Sequence, residues 1–169
     1  AFEGNTILAA DALNRLFKLR KGRPYSQKVV RDGLEKAREL YGSGGYMEFT
    51  GFPDLTPRDG NGDEPPTVDV IVRVTEGPQY LVNRITFTGN TTTRDNVIRR
   101  EMRLVEGGIF NTEAPKYSVR RLNQLGYFKE LKGDDRDMKV DKTPGQENTV
   151  DVTLRFEEQN RNQVTFRAG

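Results

Sequence analysis

Two stretches of the chain place an apolar residue at every second position: Val68-Val70-Val72-Val74 and Val150-Val152-Leu154-Phe156. A period of two belongs to a strand with one buried and one wetted face. Ahead of the first stretch, Val30, Leu34, Ala37 and Tyr41 recur at helical spacing, which predicts an amphipathic helix with Ser26 as its N-cap. Ahead of the second, Tyr117 or Ser118, Leu122 and Leu125 predict a matching helix. Asn111 or Thr112 caps it, Pro115 sits in its first turn, and Gly126 stops it. Tyr80 to Phe87 reads as a further strand, with Val82, Ile85 and Phe87 set among polar residues. Gly89-Asn90 then turns the chain, and Thr91 to Thr93 offer capping hydroxyls for a helix from about Arg94 to Arg103, stopped by Gly107-Gly108. Long polar hairpin loops are expected at Thr56 to Pro66 and Lys139 to Asn148.

These elements occur twice in one order. Phe2-Glu3-Gly4-Asn5 returns as Phe87-Thr88-Gly89-Asn90 after 85 residues. Gly22 and Tyr25 return as Gly107 and Phe110, Gly45-Tyr46 as Gly126-Tyr127, and TVDVIVRV (Thr67 to Val74) as TVDVTLRF (Thr149 to Phe156). Four landmarks in the same order indicate a duplicated unit. Each copy reads as strand, helix, helix, strand, strand: an α+β fold with two helices on one face of a three-stranded mixed sheet. The Gly77-Pro78 break divides the copies into residues 1–77 and 78–158. Residues 159–169 read as a linker and the opening of another strand, with Val164, Phe166 and Ala168 alternating, and Ala1-Phe2 as the tail of a strand begun earlier.

Composition narrows the chemistry. With 34% hydrophobic and 31% charged residues, two small cores suit the chain better than one large one. A net charge of +2 does not suggest the electrostatic footprint of a nucleic-acid binder. The absence of Cys and His excludes disulfides, thiol nucleophiles, Cys/His zinc sites and a Ser-His-Asp triad. No apolar run reaches the roughly 18 residues of a membrane-spanning helix. DGNGDE (Asp59 to Glu64) opens like a calcium loop, but Glu64 stands where Gly is needed and Val70 where Glu is needed, so it reads as a solvated loop. GSGG (Gly42 to Gly45) follows a helix and reads as its stop. Arg99-Arg100 and Arg120-Arg121 read as solvated helix faces. No cofactor, metal site or catalytic group is expected.

The order F-x-G-N, glycine-x-x-aromatic, leucine with Gly-Tyr, and V-D-V resembles the polypeptide-transport-associated (POTRA) domain. The second copy, ITFTGNTTTRDNVIRREMRLVEGGIFN with LNQLGYF, is similar to the last POTRA domain of the BamA family of outer-membrane protein assembly factors. The resemblance implies a periplasmic, non-enzymatic scaffold, the two membrane-proximal POTRA domains of a larger chain with a C-terminal barrel. It implies accessory lipoproteins of the BamD type, unfolded outer-membrane proteins and that barrel as partners. The alternative is a POTRA pair from a related translocation or two-partner secretion pore, acting as a peptide-binding chaperone.

Two surfaces are candidates for binding. With the returning strand central, the strand after each Gly-Tyr lies at a sheet edge: Tyr46, Met47, Glu48, Phe49 and Thr50 in one copy, Phe128, Lys129 and Glu130 in the other. An open edge captures an extended peptide by strand addition. The other reading is an edge kept short and guarded by Glu48 or Lys129. The second surface is the helix carrying Arg94 and Glu101, which fall near one azimuth beside Val97, Ile98 and Met102. The repeat places Leu16 at the position of Glu101 and Ala9 at that of Arg94. Either Glu101 is tied within the chain, to Arg94 or a loop lysine, or it faces a partner; the resemblance makes Arg94 and Glu101 contacts for the lipoprotein.

Overall fold

The computed structural model of the chain describes residues 1–159. The alternation at Val164, Phe166 and Ala168 lies outside these residues. The chain forms two compact units, Ala1–Gln79 and a second beginning at Tyr80. The first contains β1 (Phe2–Glu3), α1 (Ala10–Phe17), α2 (Gln27–Ser43), β2 (Thr50–Arg58) and β3 (Thr67–Thr75). The second contains β4 (Leu81–Thr88), α3 (Asp95–Glu101), α4 (Ala114–Leu125), β5 (Met138–Lys142) and β6 (Thr149–Arg155). In each, the returning strand is central, parallel to the first strand and antiparallel to the other, giving the orders β1-β3-β2 and β4-β6-β5.

The alternation in β3 and β6 sets which face the helices cover. Val72 and Val74 join a core with Leu13, Phe17, Val30, Ala37 and Tyr41. In the second unit Val150, Val152 and Leu154 are buried, as are Ile98 and Leu122. Each Val, Leu, Ile or Phe among them contributes about 1.5–3 kcal/mol by leaving water. The repeat holds at the crossing of the two helices. Gly33 of α2 lies so close to Phe17 that a Cβ would fall 2.5 Å from its ring. Its counterpart Ser118 is fully buried, and its hydroxyl donates to Ala114 O (2.9 Å) and accepts from Arg103 N (3.1 Å).

The F-x-G-N signature has a shared physical cause. Gly4 and Gly89 adopt φ of +89° and +81°, and a Cβ on them would lie 2.1 Å from Val74 O and 1.9 Å from Phe156 O. These carbonyls are equivalent in the two central strands. The asparagine that follows donates from Nδ2 to the carbonyl three residues on, Asn5 to Leu8 (2.9 Å) and Asn90 to Thr93 (2.8 Å). Two residues beyond each approached carbonyl stands a glutamate. Glu76 accepts from Thr6 N (2.7 Å), Thr6 Oγ1 (2.6 Å), Ile7 N (2.9 Å) and the Tyr41 hydroxyl (2.6 Å). Glu158 accepts from Thr92 N (2.8 Å), Thr93 N (2.7 Å) and the Thr92 hydroxyl. Burial pushes the Glu76 carboxyl up, but the hydrogen bonds from Thr6, Tyr41 and Ile7 outweigh it and hold its pKa below the ordinary value. Burial, then Glu76, pushes the Tyr41 phenol far above its ordinary range.

Some boundaries differ from the sequence pattern. The helix expected at Arg94 to Arg103 is Asp95–Glu101, and Arg94 is its extended N-cap residue. No side chain caps it, because Arg94 has no acceptor to offer, and Thr92 and Thr93 lie before the cap position with their N–H groups donated to Glu158. That helix ends at Met102, well before Gly107. Ser26 caps α2 by accepting from Val29 N, and Gly126 ends α4 with φ +68°, both as expected. The cap residue of α4 is Glu113, whose N–H is held by Asn111 Oδ1 at 2.9 Å. Of the expected hairpin loops, Thr56 to Arg58 belong to β2 and Lys139 to Lys142 to β5.

Two outcomes follow from the shared clip. Gly89→Ala sets a Cβ into the Phe156 carbonyl and should destabilise the second unit by about 3 kcal/mol or more, read by urea unfolding. The Glu158 carboxyl is lowered from 4.5 to about 2 by hydrogen bonds from Thr92 and Thr93. Because its folded pKa lies below the unfolded one, its contribution is complete above 4.5 and disappears as pH falls through about 2. Unfolding midpoints should therefore decline across that window, and Glu158→Gln should flatten the decline.

Candidate functional site

Glu101 is the last residue of α3, one position before the buried Met102. Its side chain is 19% exposed. Oε2 accepts from Arg121 of α4, at 2.9 Å from Nη2 and 3.1 Å from Nε. The tie within the chain is therefore to the second helix, not to Arg94 or a loop lysine. Arg94 is exposed and extended, so the helical azimuth that would set it beside Glu101 does not apply. The repeat carried a signal for Arg121: its counterpart Lys36 precedes the buried Ala37 as Arg121 precedes the buried Leu122. In the first unit the counterpart of Glu101, Leu16, packs against the core.

The other arginines here are not simply solvated. Arg99 donates from Nη2 to Ile85 O (3.0 Å), pairs with Glu106 (3.5 Å) and lies over the Phe87 ring (5.0 Å). Glu106 also accepts from Ile85 N (3.0 Å). Arg103 stacks over Tyr117 of α4, 3.4 Å from the ring centroid. The face is thus partly fixed, with Arg94, Arg100 and Arg120 exposed around it.

The strand after each Gly-Tyr lies at a sheet edge, as expected, but it begins later than the sequence suggested. Tyr46, Met47, Glu48 and Phe49 are not in a strand, and β2 starts at Thr50. Tyr46 N donates back to Tyr41 O (3.0 Å), and Phe49 is buried, stacked on Tyr41 at 4.3 Å. This aromatic run closes the end of α2. Phe128, Lys129 and Glu130 form no free edge either. Phe128 bridges Glu158, Lys129 N donates to Glu157 O (2.8 Å), and Gln159 N donates to Tyr127 O (3.0 Å). With β1 and β4 at the opposite edges, the edge strands that follow the helices are β2 and β5.

Their outward rows differ. Val72 N donates to Ala1 O (2.8 Å), so Val72 turns its backbone groups toward β1 and away from its β2 partner Pro53. By alternation, the outward row of β2 is Gly51, Pro53, Leu55 and Pro57. Two of these four positions lack an N–H, which blunts the edge for strand addition. In β5, Arg155 N donates to Asp137 O (2.7 Å) and Thr143 N to Thr149 O (3.0 Å). The outward row there is Met138, Val140 and Lys142, with no proline, although Met138 N is already bonded to Asp134 O (3.0 Å).

A family model described as POTRA, surface antigen variable number repeat, matches residues 1–77 and 80–159. The chain belongs to the POTRA family. This POTRA pair is 28% identical over 172 residues to the outer membrane protein assembly factor BamA of Neisseria meningitidis, covering 100% of this chain and 20% of that protein. It is 28% identical to the factor of the same name from Nitratidesulfovibrio vulgaris, covering 94% of the chain and 19% of the relative. The POTRA pair thus spans about a fifth of the curated relatives it matches. A crystal structure of Haemophilus ducreyi BamA lacking POTRA domains 1–3 superposes with a TM-score of 0.71 and 26% identity, over 93% of this chain and 28% of that one. A Haemophilus influenzae BamA POTRA3-5 structure gives 0.64 and 24%, over 88% and 56%, and supports the fold.

The proline row of the first POTRA unit has a measurable consequence. Pro53→Ala combined with Pro57→Ala restores two outward donors and should promote self-association, seen as a concentration-dependent rise in sedimentation coefficient. A double variant as monomeric as the parent would show that the prolines do not guard this edge.

Proposed function

We propose that this POTRA pair is a periplasmic docking module of an outer-membrane protein assembly factor, placed next to the membrane barrel. The alignment of the whole chain with BamA supports it, as does the match of 93% of the chain to a BamA structure that lacks POTRA domains 1–3. In this reading the pair acts as a scaffold and not a catalyst.

In this proposal an accessory lipoprotein of the BamD type docks on Glu101 and Arg94. The supporting observation is that Arg121 engages Oε2 of Glu101 and holds the carboxylate at the surface of the helix pair, still 19% exposed. A half-buried carboxylate held by one arginine is oriented in advance for a cation from a partner. Unfolded outer-membrane proteins pass along the module toward the barrel. Of the two edges, β5 keeps the backbone donor of Val140 on its outward row, so client strands pair there rather than on β2.

Glu101→Lys sets like charge against Arg121 and against a cationic partner. It should weaken binding of the cognate lipoprotein about tenfold or more, while folding stability changes by about 1 kcal/mol or less. Calorimetric titration beside a thermal unfolding curve separates the two effects. Unchanged affinity in a folded variant would remove Glu101 from the contact.

A further inference from the structure

A groove of about 730 Å³ lies on the second unit between α4, Arg103 after α3, and the 131–133 loop. Arg103, Lys116, Arg120 and Lys132 line it, with Glu113 as the acidic member. Glu113 is paired with Lys116 at 3.1 Å, and Lys132 pairs at 3.0 Å with Glu130, which is not a lining residue. Among the described residues neither Arg103 nor Arg120 has a carboxylate partner. The floor is apolar where Val119 and Leu131 are buried, and Tyr117 forms an aromatic wall under the Arg103 guanidinium.

The duplicated unit supplies an internal control. Buried helix positions match across the copies, Gly33 with Ser118 and Ala37 with Leu122. In that register Arg103, Tyr117 and Arg120 correspond to Lys18, Asp32 and Glu35. The fold therefore does not require an arginine-tyrosine-arginine surface here, since the first unit builds the same helices with two carboxylates at those positions. Four grouped cations on an aromatic and apolar floor, of which Arg103 and Arg120 have no carboxylate partner among the described residues, complement a segment that carries carboxylates around an apolar side chain.

We infer that this groove is a docking site for an acidic protein segment with interspersed apolar residues, separate from the Glu101 contact. It rests on the reading of the chain as a docking module and adds the chemistry of a second partner surface. A planar guanidinium fixed over a ring is suited to grip a carboxylate through two parallel N–H groups.

The test uses the whole chain and a fluorescein-labelled peptide of repeated Glu-Glu-Leu, with Lys-Lys-Leu as control, followed by anisotropy and backbone amide shifts. The acidic peptide should bind and shift the amides of Arg103, Tyr117, Arg120 and Gly133. Binding should weaken steeply between about 50 and about 500 mM salt. Arg103→Glu with Arg120→Glu should reduce affinity about tenfold or more, and Lys18→Glu, at the equivalent site of the first unit, should leave it within about twofold. Glu101→Lys should leave peptide affinity within about twofold even where it abolishes lipoprotein docking, so the two contacts fail separately. Equal affinity for both peptides, or shifts confined to other residues, would overturn the proposal. So would phosphatidylglycerol vesicles that bind and are released by the double reversal while the peptide does not bind, which makes the groove a lipid headgroup site.

Discussion

Each unit depends on one close approach. The glycine after the first strand passes so near a carbonyl of the central strand that no side chain fits between them. The loop beyond it then hangs from a single carboxylate at the end of that strand, Glu76 in one copy and Glu158 in the other. The approach fixes where the first helix starts, and the carboxylate satisfies backbone N–H groups that would otherwise lack partners at that turn. In the first unit the device also reaches the second helix, because Tyr41 donates its hydroxyl to Glu76. The loop from the first strand to the first helix, the second helix and the end of the central strand thus meet at one acidic residue. In the second unit Phe128 packs at 4.5 Å on Phe156 and bridges Glu158, which joins the segment after α4 to the same point.

The architecture was legible because duplication and periodicity reinforce each other. A period of two marked β3 and β6, helical spacing marked α2 and α4, and the paired landmarks supplied the order. What escaped the sequence did so for physical reasons. Tyr46 to Phe49 has the aromatic content of a strand, yet its rings are used to close the core over Tyr41. Met138–Lys142 is five residues long and has charged or polar neighbours, so it reads as loop until β6 pairs with it. The threonines before α3 look like caps, but the carboxylate that takes their donors lies 66 residues away in the chain. Local pattern does not report a partner of that kind, although the match of Glu76 with Glu158 between the copies would have pointed to it.

The two copies separate what the fold needs from what the surface is free to become. Glycine, asparagine and glutamate recur at the clip, and small or apolar residues recur at the helix crossing. Around that frame the side chains diverge: Leu16 against Glu101, Asp32 against Tyr117, Glu35 against Arg120. The changes gather on the helices of the second unit, where they leave an oriented carboxylate and a cationic groove. Those helices are thus the place where the surfaces of the two units differ most in charge.

The outer side of β4 is already spoken for. Val82 N donates to Gly108 O and Val82 O accepts from Gly107 N, Phe110 N reaches Tyr80 O, and Ile85 is bonded through both backbone groups to Glu106 and Arg99. A sheet that can be extended at one margin only behaves as a chain terminator. Two copies of this unit meeting margin to margin would close into a pair and stop there. Fibrillar growth, which requires every added layer to present a fresh margin, has no second face from which to continue.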